Sequence, residues 1–443
     1  MKTVYGILIA IILILLVAFV YSPHEDEDVV ISALSSDLSK PEFVQYSEVN
    51  LPEKELVAIP DSNPYVQQVV ADYNDFIEQA IKKGMAPGAA VAIVRDTSII
   101  FLKGFGLRQV GHADSIDVNT VFRLGSVSKC FSSVLAGTLV SDHLMNWDDP
   151  IVKYYPEFQL KSKEHTEKLT IRNVLSHTTG LPYHAYTNMI EEHIPLDTLL
   201  ASLKSVSLFG EPGQIYSYQN VGYSLIEKVV QAVSHQSFEA ALTEHVFKPL
   251  KMRNSSASYE AIMSHENVAR PHFFSRKHWV SVPISDTYYN VTPAGGVNAS
   301  IADMALWLRA LMNGSSDLMS DSTMHEIFEP QIKAISKNRN FARWKRPRAS
   351  YYALGWRVIT FQNDTLEYHG GYVNGYRSEV AIDRKNHIAI CVLTNSPGSL
   401  SDLSIPEFFK RYTQRADSIA FWENRNKLIL VKNTEQISPV SLN

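Results

Sequence analysis

The amino-acid sequence predicts an α+β domain in which an antiparallel β-sheet is flanked by helices and a mainly helical lobe is inserted between its two ends. Near the start of the domain, residues 89–94 and 98–105 are largely apolar and joined by a short polar turn, which is typical of a β-hairpin. Residues 379–382 and 387–393 form a second such pair near its end. The chain between the hairpins has mainly helical periodicity, so we expect both ends of the domain to build one sheet.

Composition places the 443-residue chain among ordinary globular proteins. It has 41 Lys and Arg against 46 Asp and Glu, a net charge of −5, and 45% hydrophobic residues. This balance argues against a nucleic-acid partner, because nucleic-acid-binding domains usually carry an excess of Lys and Arg on one face. Two cysteines, Cys130 and Cys391, are too few for a disulfide framework or a multi-cysteine metal site. We therefore expect the fold to depend on its apolar core.

The N-terminal residues are predicted to form a separate membrane segment. Residues 4–20 are almost wholly Ile, Leu, Val, Ala and Phe, Lys2 precedes them, and residues 25–28 are all acidic. Such a run is only just long enough to cross a bilayer, and its flanking charges favour an N-in orientation. A poor cleavage site favours an uncleaved signal anchor over the alternative, a cleaved signal peptide. We expect residues 1–22 to export the rest of the chain to the periplasmic or extracellular side of the inner membrane, with membrane contact through residues 4–21.

A serine and a lysine lie at the start of a predicted helix. Ser126 follows Gly125, and Lys129 comes three residues later, which places both side chains on one face of the helix. Apolar residues recur after them at helical spacing, so we expect an amphipathic helix with one buried stripe. The helix N-terminus favours negative charge, and a lysine pressed against the core can lose its proton and act as a base. The pair therefore has the chemistry of a nucleophile and its activator. The alternative is an N-capping serine with a surface lysine.

Tyr218 and Asn220 form a second candidate pair. A Pro-Gly turn precedes them and a helical pattern follows, so the triplet is predicted on a loop that leads into a helix. A phenol can shuttle a proton once nearby cations lower its pKa, and an amide can bind a substrate carbonyl. Three other Tyr-x-Asn triplets begin at Tyr186, Tyr288 and Tyr372, so the triplet alone is a weak signal.

His369 and Gly371 form the third candidate, and they precede the second predicted hairpin. Glycines at this place let a substrate backbone approach an edge strand closely, and a strand N–H can complete an oxyanion hole. The alternative is a glycine-rich turn with a solvated histidine.

Three short motifs thus occur in a fixed order along the chain. They are Ser126-x-x-Lys129, Tyr218-x-Asn220 and His369-x-Gly371. In this order they resemble the signature elements of the serine β-lactamase and penicillin-binding-protein superfamily. More narrowly they resemble the class C β-lactamase-related serine hydrolases, which include D-Ala-D-Ala carboxypeptidases, D-amino-acid peptidases and esterases. The resemblance extends over residues 64–425, with further similar segments at 175–182, 293–296 and 392–395, and it implies a β-lactamase/transpeptidase-like fold.

The resemblance implies a catalytic role for three residues. Ser126 would be the acylated nucleophile, and Lys129 would accept or relay its proton. Tyr218 would protonate the leaving group and activate the deacylating water. This chemistry needs no metal or other cofactor.

Substrate binding is implied for Asn220, His369 and Gly371, with an oxyanion hole formed by the backbone N–H groups of Ser126 and Tyr372. Class C β-lactamases normally have Lys-Thr-Gly where this chain has His-Gly-Gly. A histidine is mostly neutral near pH 7 and lacks the reach of lysine, so we expect weaker recognition of a substrate carboxylate. An ester, an amide or a D-amino-acid peptide is therefore favoured over a β-lactam as substrate.

Two functions remain open at this point. The first is an exported serine hydrolase that cleaves amide or ester bonds through an acyl-enzyme; the second is a penicillin-binding-like sensor or wall-peptide-binding protein with little turnover. The presence of a serine, a lysine and a tyrosine together favours turnover, because a binding module needs no such set. The physiological substrate and the oligomeric state are not determined by the sequence.

The motifs also define the domain organisation. Length alone allows two or three domains, but all three motifs fall within residues 61–425, which we expect to be one catalytic domain. Residues 23–60 have the acidic, Ser- and Pro-containing composition of a linker, and residues 426–443 form a C-terminal tail. Residues 333–348 are rich in Lys and Arg. They are either a solvated insertion loop or a flexible loop that attracts anionic wall polymer or lipid headgroups.

Overall fold

An eight-stranded antiparallel sheet forms the centre of the fold. The protein is seen in a computed structural model that describes residues 56–312, 318–334, 347–362 and 364–435. Within these ranges the strands are β1 (Gly88–Arg95), β2 (Ser98–Gly106), β3 (Val121–Arg123), β4 (His272–Ser275), β5 (His278–Ser281), β6 (Asn298–Ser300), β7 (Ile332–Lys333), β8 (Ala349–Tyr352), β9 (Arg357–Thr360), β10 (Thr365–Val373), β11 (Tyr376–Asp383) and β12 (Ile388–Thr394). The large sheet has the order β2-β1-β12-β11-β10-β9-β8-β7, and the pairs β3–β6 and β4–β5 are separate.

Both ends of the domain build this sheet, as the two predicted hairpins indicate. Strand β1 pairs with β2 on one side and with β12 on the other, where Val91 lies opposite Val392. Strands β1 and β12 are apolar and buried almost throughout, so they occupy the middle of the fold with helices on both faces. The predicted α+β fold with an antiparallel sheet is therefore confirmed.

The helices follow the chain through both layers. They are α1 (Pro64–Lys82), α2 (Ser128–Ser141), α3 (Lys163–Lys168), α4 (Ile171–Leu175), α5 (Thr187–Glu191), α6 (Leu196–Ser202), α7 (Leu225–Ser234), α8 (Phe238–Leu242), α9 (Tyr259–Ser264), α10 (Thr292–Gly295), α11 (Ile301–Met312), α12 (Asp321–Phe328), α13 (Ser399–Gln414) and α14 (Ala416–Glu435). Short 3₁₀ turns occur at Gly125–Val127, Ile151–Lys153, Leu203–Ser205 and Tyr289–Val291, and a π-helical turn at Thr243–Phe247.

The sheet separates two apolar clusters. Along β1, Ala90 and Ala92 belong to the cluster that contains α2 and α11, whereas Val91 and Ile93 belong to the cluster that contains α1 and α13. This alternation follows from the two-residue period of a strand. The helical middle of the chain therefore packs on one face of the sheet, and the terminal helices pack on the other.

Helix α2 is the central helix of the lobe, and the prediction of a single buried stripe is wrong for it. Every residue from 128 to 139 is buried, including several serines. Their hydroxyls are satisfied internally, because Ser132 donates to the Pro293 carbonyl at 2.7 Å and Ser133 to the Leu354 carbonyl at 2.5 Å. Buried polar groups are tolerated when they are hydrogen-bonded in this way.

In the described part of the chain, no helix is both long and apolar enough to cross a membrane. The predicted membrane segment at residues 4–21, most of the basic stretch 333–348 and the last eight residues of the predicted tail lie outside the described residues.

Candidate active site

A tight turn places Ser126 at the N-terminal end of α2. Strand β3 leads directly into the 3₁₀ turn Gly125–Val127, and α2 begins at the next residue. Gly125 has a φ of +52°, and a Cβ atom there would lie 2.8 Å from the Tyr372 carbonyl carbon. Glycine is therefore required at this position. The turn holds Ser126 against strand β10, where the residue is half-buried.

Lys129 lies one helical turn further on and has no solvent-exposed surface. Its Nζ donates hydrogen bonds to the Asn220 side-chain oxygen and to the Ala294 carbonyl, both at 2.8 Å. Burial lowers the pKa of Lys129 well below its ordinary value, and the positive charge of Arg357 acts in the same direction. A neutral amine has two hydrogens and a lone pair, and the two bonds use both hydrogens. The lone pair is left to accept a proton.

Tyr218 contacts both members of this pair. Its side chain lies beside that of Ser126, and the Lys129 Nζ lies 4.8 Å from the centre of its ring. Burial raises the pKa of Tyr218 above that of an ordinary phenol, whereas the charge of Arg357 and the nearby Ser126 side chain act against the rise. The resting phenol is therefore protonated and can donate its proton.

Asn220 comes from the same loop, which precedes α7. Because its Oδ1 accepts the Lys129 hydrogen bond, its Nδ2 must point elsewhere, and Nδ2 donates to no other described residue. The amide NH₂ is thus available to a substrate carbonyl. The loop is fastened to α2 by Tyr223, whose hydroxyl donates to the Lys129 carbonyl at 2.8 Å.

Strand β10 forms the opposite wall of the site. Its pairing with β9 ends at Tyr368, so the part of β10 from 369 to 373 has no strand partner on that side. A Cβ atom on Gly371 would lie 2.0 Å from the Leu124 carbonyl and 3.1 Å from the Ser126 nitrogen. Glycine at 371 therefore allows the backbone of β10 to pack directly against the turn that holds Ser126. A Cβ atom on Gly125 would likewise lie 2.9 Å from the Tyr372 nitrogen, so the backbone nitrogens of Ser126 and Tyr372 both lie at this contact between β10 and the turn.

His369 lies on β10, the strand that precedes the predicted hairpin, and its side chain is buried rather than solvated. Only 1% of it is exposed. Its Nε2 shares a hydrogen bond with the Tyr352 hydroxyl at 3.0 Å, and its Nδ1 lies 3.0 Å from the Gly370 carbonyl. Burial lowers the pKa of His369 well below its ordinary value, and the charge of Arg357 acts in the same direction. The histidine is therefore neutral, and its ring nitrogens are occupied inside the protein.

Three residues beside the site, His177, Tyr352 and Arg357, were not identified by the three sequence motifs. The His177 ring packs 4.3 Å from the Tyr218 ring and 4.7 Å from the Tyr352 ring, centre to centre. Arg357 lies beside the same two tyrosines, with its guanidinium carbon 5.5 Å from each ring centre. His177 falls in the segment 175–182 that was noted for its resemblance, whereas Tyr352 and Arg357 belong to no recognisable motif.

The structure thus brings together all the predicted site residues, although the side chain of His369 faces Tyr352. Elsewhere in the described residues, no group of three His, Cys, Asp or Glu side chains is arranged to hold a metal ion. Cys130 and Cys391 are both buried and free.

Two curated proteins are similar to this chain over most of its length. Protein flp of Staphylococcus aureus (strain MW2) is 24% identical over 321 residues, which cover 72% of this chain and 61% of that protein. Unguisins hydrolase ungD' of Aspergillus campestris is 24% identical over 336 residues, which cover 73% of this chain and 61% of that protein. The chain therefore spans about three fifths of the length of these relatives.

A similar fold occurs in a solved structure, the octameric penicillin-binding protein homologue from Pyrococcus abyssi. The two chains superpose with a TM-score of 0.67 at 23% sequence identity, over 76% of each chain. At this identity the likeness concerns the fold alone. The sequence profile of the Beta-lactamase family matches residues 74–410, which is well over half of the chain. The chain therefore belongs to the Beta-lactamase family.

Proposed function

We propose that the protein is a serine hydrolase that cleaves an amide or ester bond through an acyl-enzyme on Ser126. The observation that carries this proposal is the environment of Lys129. A lysine without solvent exposure, one helical turn from a half-buried serine and bonded to Asn220, is suited to removing a proton from that serine. A mere N-cap serine would not require its neighbouring lysine to be buried.

In the acylation step, Ser126 Oγ attacks the substrate carbonyl carbon and its proton passes to the Lys129 amine. The carbonyl oxygen becomes negative and accepts hydrogen bonds from the N–H groups of Ser126 and Tyr372. The bond to the leaving group then breaks. Tyr218 gives its proton to the departing amine or alkoxide and recovers one from Lys129, which returns both groups to their resting states.

Deacylation reverses these roles with water as the nucleophile. A water molecule attacks the acyl carbon, and its proton passes through Tyr218 and Lys129 to the Ser126 oxygen as the acyl bond breaks. The products are a carboxylic acid and free Ser126. The chain's own side chains account for every proton in this cycle.

For the substrate we propose an ester, an amide or a D-amino-acid peptide that lies along the free part of β10. An extended substrate can bond there to the backbone as an added strand. The neutral, internally bonded His369 offers no charge to a β-lactam carboxylate. Among the relatives, one is named a hydrolase of unguisins, which is in line with a hydrolytic role.

We also propose, on the N-terminal sequence alone, that the domain acts outside the cytoplasm on a membrane tether. In a bacterial host, a membrane-impermeant protease should digest the domain in cells whose outer envelope is permeabilised, and the full chain should sediment with membranes. Digestion that occurs only after the cytoplasm is opened would contradict export, and release of a shortened soluble chain would favour the cleaved signal peptide.

Acylation can be tested by intact mass. After incubation with p-nitrophenyl acetate, nitrocefin or a D-Ala-D-Ala peptide, the wild-type chain should gain one acyl group from its preferred class and release it with time. Ser126→Ala should gain none, because the nucleophilic oxygen is missing. Ser141→Ala, at the other end of α2, is the matched control and should behave as wild type. Turnover unaffected by Ser126→Ala would refute the proposal, and one acyl group that is never released would favour the sensor function.

Tyr218→Phe tests the proton path. Loss of the hydroxyl should lower kcat by about 10²–10⁴-fold, because the leaving group and the deacylating water lose their acid and base. Tyr183→Phe is the control, since that tyrosine is 63% exposed, and it should keep wild-type kcat. The kcat of both variants is measured by steady-state ester hydrolysis. A Tyr218→Phe kcat within twofold of the wild-type value would exclude the role given to the phenol.

A further inference from the structure

Arg357 brings a permanent positive charge to the active site. It is the first residue of β9 and lies opposite Tyr368 of β10. Its guanidinium carbon is 5.5 Å from the ring centres of Tyr218 and Tyr352, and its Nη1 donates to the Tyr216 hydroxyl at 3.3 Å. A guanidinium is not deprotonated in proteins, so this charge is present at every pH at which the enzyme is folded.

This charge is not neutralised by a carboxylate of the described chain. Two other arginines of the large sheet are paired, Arg95 with Asp61 and Arg377 with Glu379. Arg357, although half-buried, forms no ion pair with any described residue, and its neighbours are phenols. Its positive charge is therefore left to act on the groups of the site.

The titratable groups that face or surround this charge come from several elements. They are Lys129 and Cys130 of α2, His177 after α4, Tyr216 and Tyr218 before α7, Tyr352 of β8, and Tyr368 and His369 of β10. Burial favours the neutral form of each of them, because it raises the pKa of the phenols and the thiol and lowers that of the amine and the imidazoles. Arg357 is thus a lone charge among neutral groups.

We infer that Arg357 supplies a fixed positive charge to the active site. This charge disfavours an additional proton on Lys129 or Tyr218, so the pair is ready to accept the proton of Ser126. The Lys129 Nζ and the Arg357 guanidinium both lie against the Tyr218 ring, at 4.8 Å and 5.5 Å from its centre. The positive charge of Arg357, close to Tyr218 and to the Lys129 amine, repels an additional proton on either side chain. Arg357 is in this sense a positioning residue, because it acts through Lys129 and Tyr218 rather than on the substrate. The inference rests on the proposed acylation of Ser126.

The assignment also explains how the site works without the lysine of Lys-Thr-Gly. In this chain the corresponding position is His369, which is buried, neutral and bonded to Tyr352. The register of β9 against β10 places Arg357 one strand away, opposite the residue that precedes His369. The positive charge is therefore supplied from the neighbouring strand.

The test compares two neutral variants with one that keeps the charge. Arg357→Gln retains a donor for Tyr216, Arg357→Met replaces the side chain with an apolar one that needs no partner, and Arg357→Lys retains a cation. For each full-length variant, the rate of Ser126 acylation by p-nitrophenyl acetate is measured across acidic to alkaline pH. This ester has no carboxylate, so direct binding of a substrate charge by Arg357 does not contribute. Thermal unfolding shows which variants are folded.

The neutral variants should need a higher pH to reach full rate. Without the cation, Lys129 and Tyr218 hold a proton more tightly. The acid limb of the pH–rate profile should therefore shift to a pH that is higher by about 1–2 units. Arg357→Lys should keep the limb close to that of wild type.

Several results would overturn the inference. One is an unchanged acid limb in a folded neutral variant, and another is loss of the fold in both neutral variants, which would make Arg357 structural. A change limited to the KM of a carboxylate-bearing ester would assign Arg357 to substrate binding instead. A wild-type chain that forms no acyl-enzyme would refute the proposed function itself and the inference with it, whatever the variants do.

Discussion

The burial of Lys129 is the constraint on which the rest of the site depends. A charged lysine in an apolar interior is costly, and the cost is avoided when the amine gives up its proton. The protein achieves this burial by placing α2 at the centre of the helical lobe, where even its serines are enclosed and hydrogen-bonded. The acceptors on Asn220 and Ala294 then fix the amine beside Tyr218. A base of this kind cannot be built on a surface helix.

The site also depends on contact between distant parts of the chain. Ser126 belongs to the inserted lobe, whereas β10 belongs to the end of the domain, and glycines at 125 and 371 allow their backbones to meet. Ser378, on the strand next to β10, donates to the Leu124 carbonyl at 2.5 Å and holds the turn in place. The geometry of Ser126 is therefore a property of the folded domain as a whole, not of the Ser-x-x-Lys motif alone.

Some of this structure could be predicted from sequence and some could not. Strands β1 and β12 were predictable because their apolar residues are continuous and end at polar turns. The full burial of α2 was not, because Ser132 and Ser133 look like an exposed polar face until their carbonyl partners, more than 150 residues away, are known. His369 was expected to bind substrate, with a solvated turn as the alternative, but its side chain is buried against Tyr352, which local sequence does not indicate. The position of Arg357 follows from the register of β9, which local sequence does not specify. The catalytic roles of Ser126, Lys129 and Tyr218 remain predictions.

Whether Lys129 can act as a base is measured by the pH titration of its amine in the folded protein. With lysine labelled at ¹³Cε, heteronuclear NMR resolves each side chain, and the spectrum of Lys129→Arg identifies the signal. We expect the pKa of Lys129 to lie well below the value of about 10.4 for an ordinary lysine, because the amine is buried and lies near Arg357. A Lys129 signal that titrates together with those of the exposed lysines would show that the amine is charged at neutral pH, and it would contradict the role of Lys129 as the base.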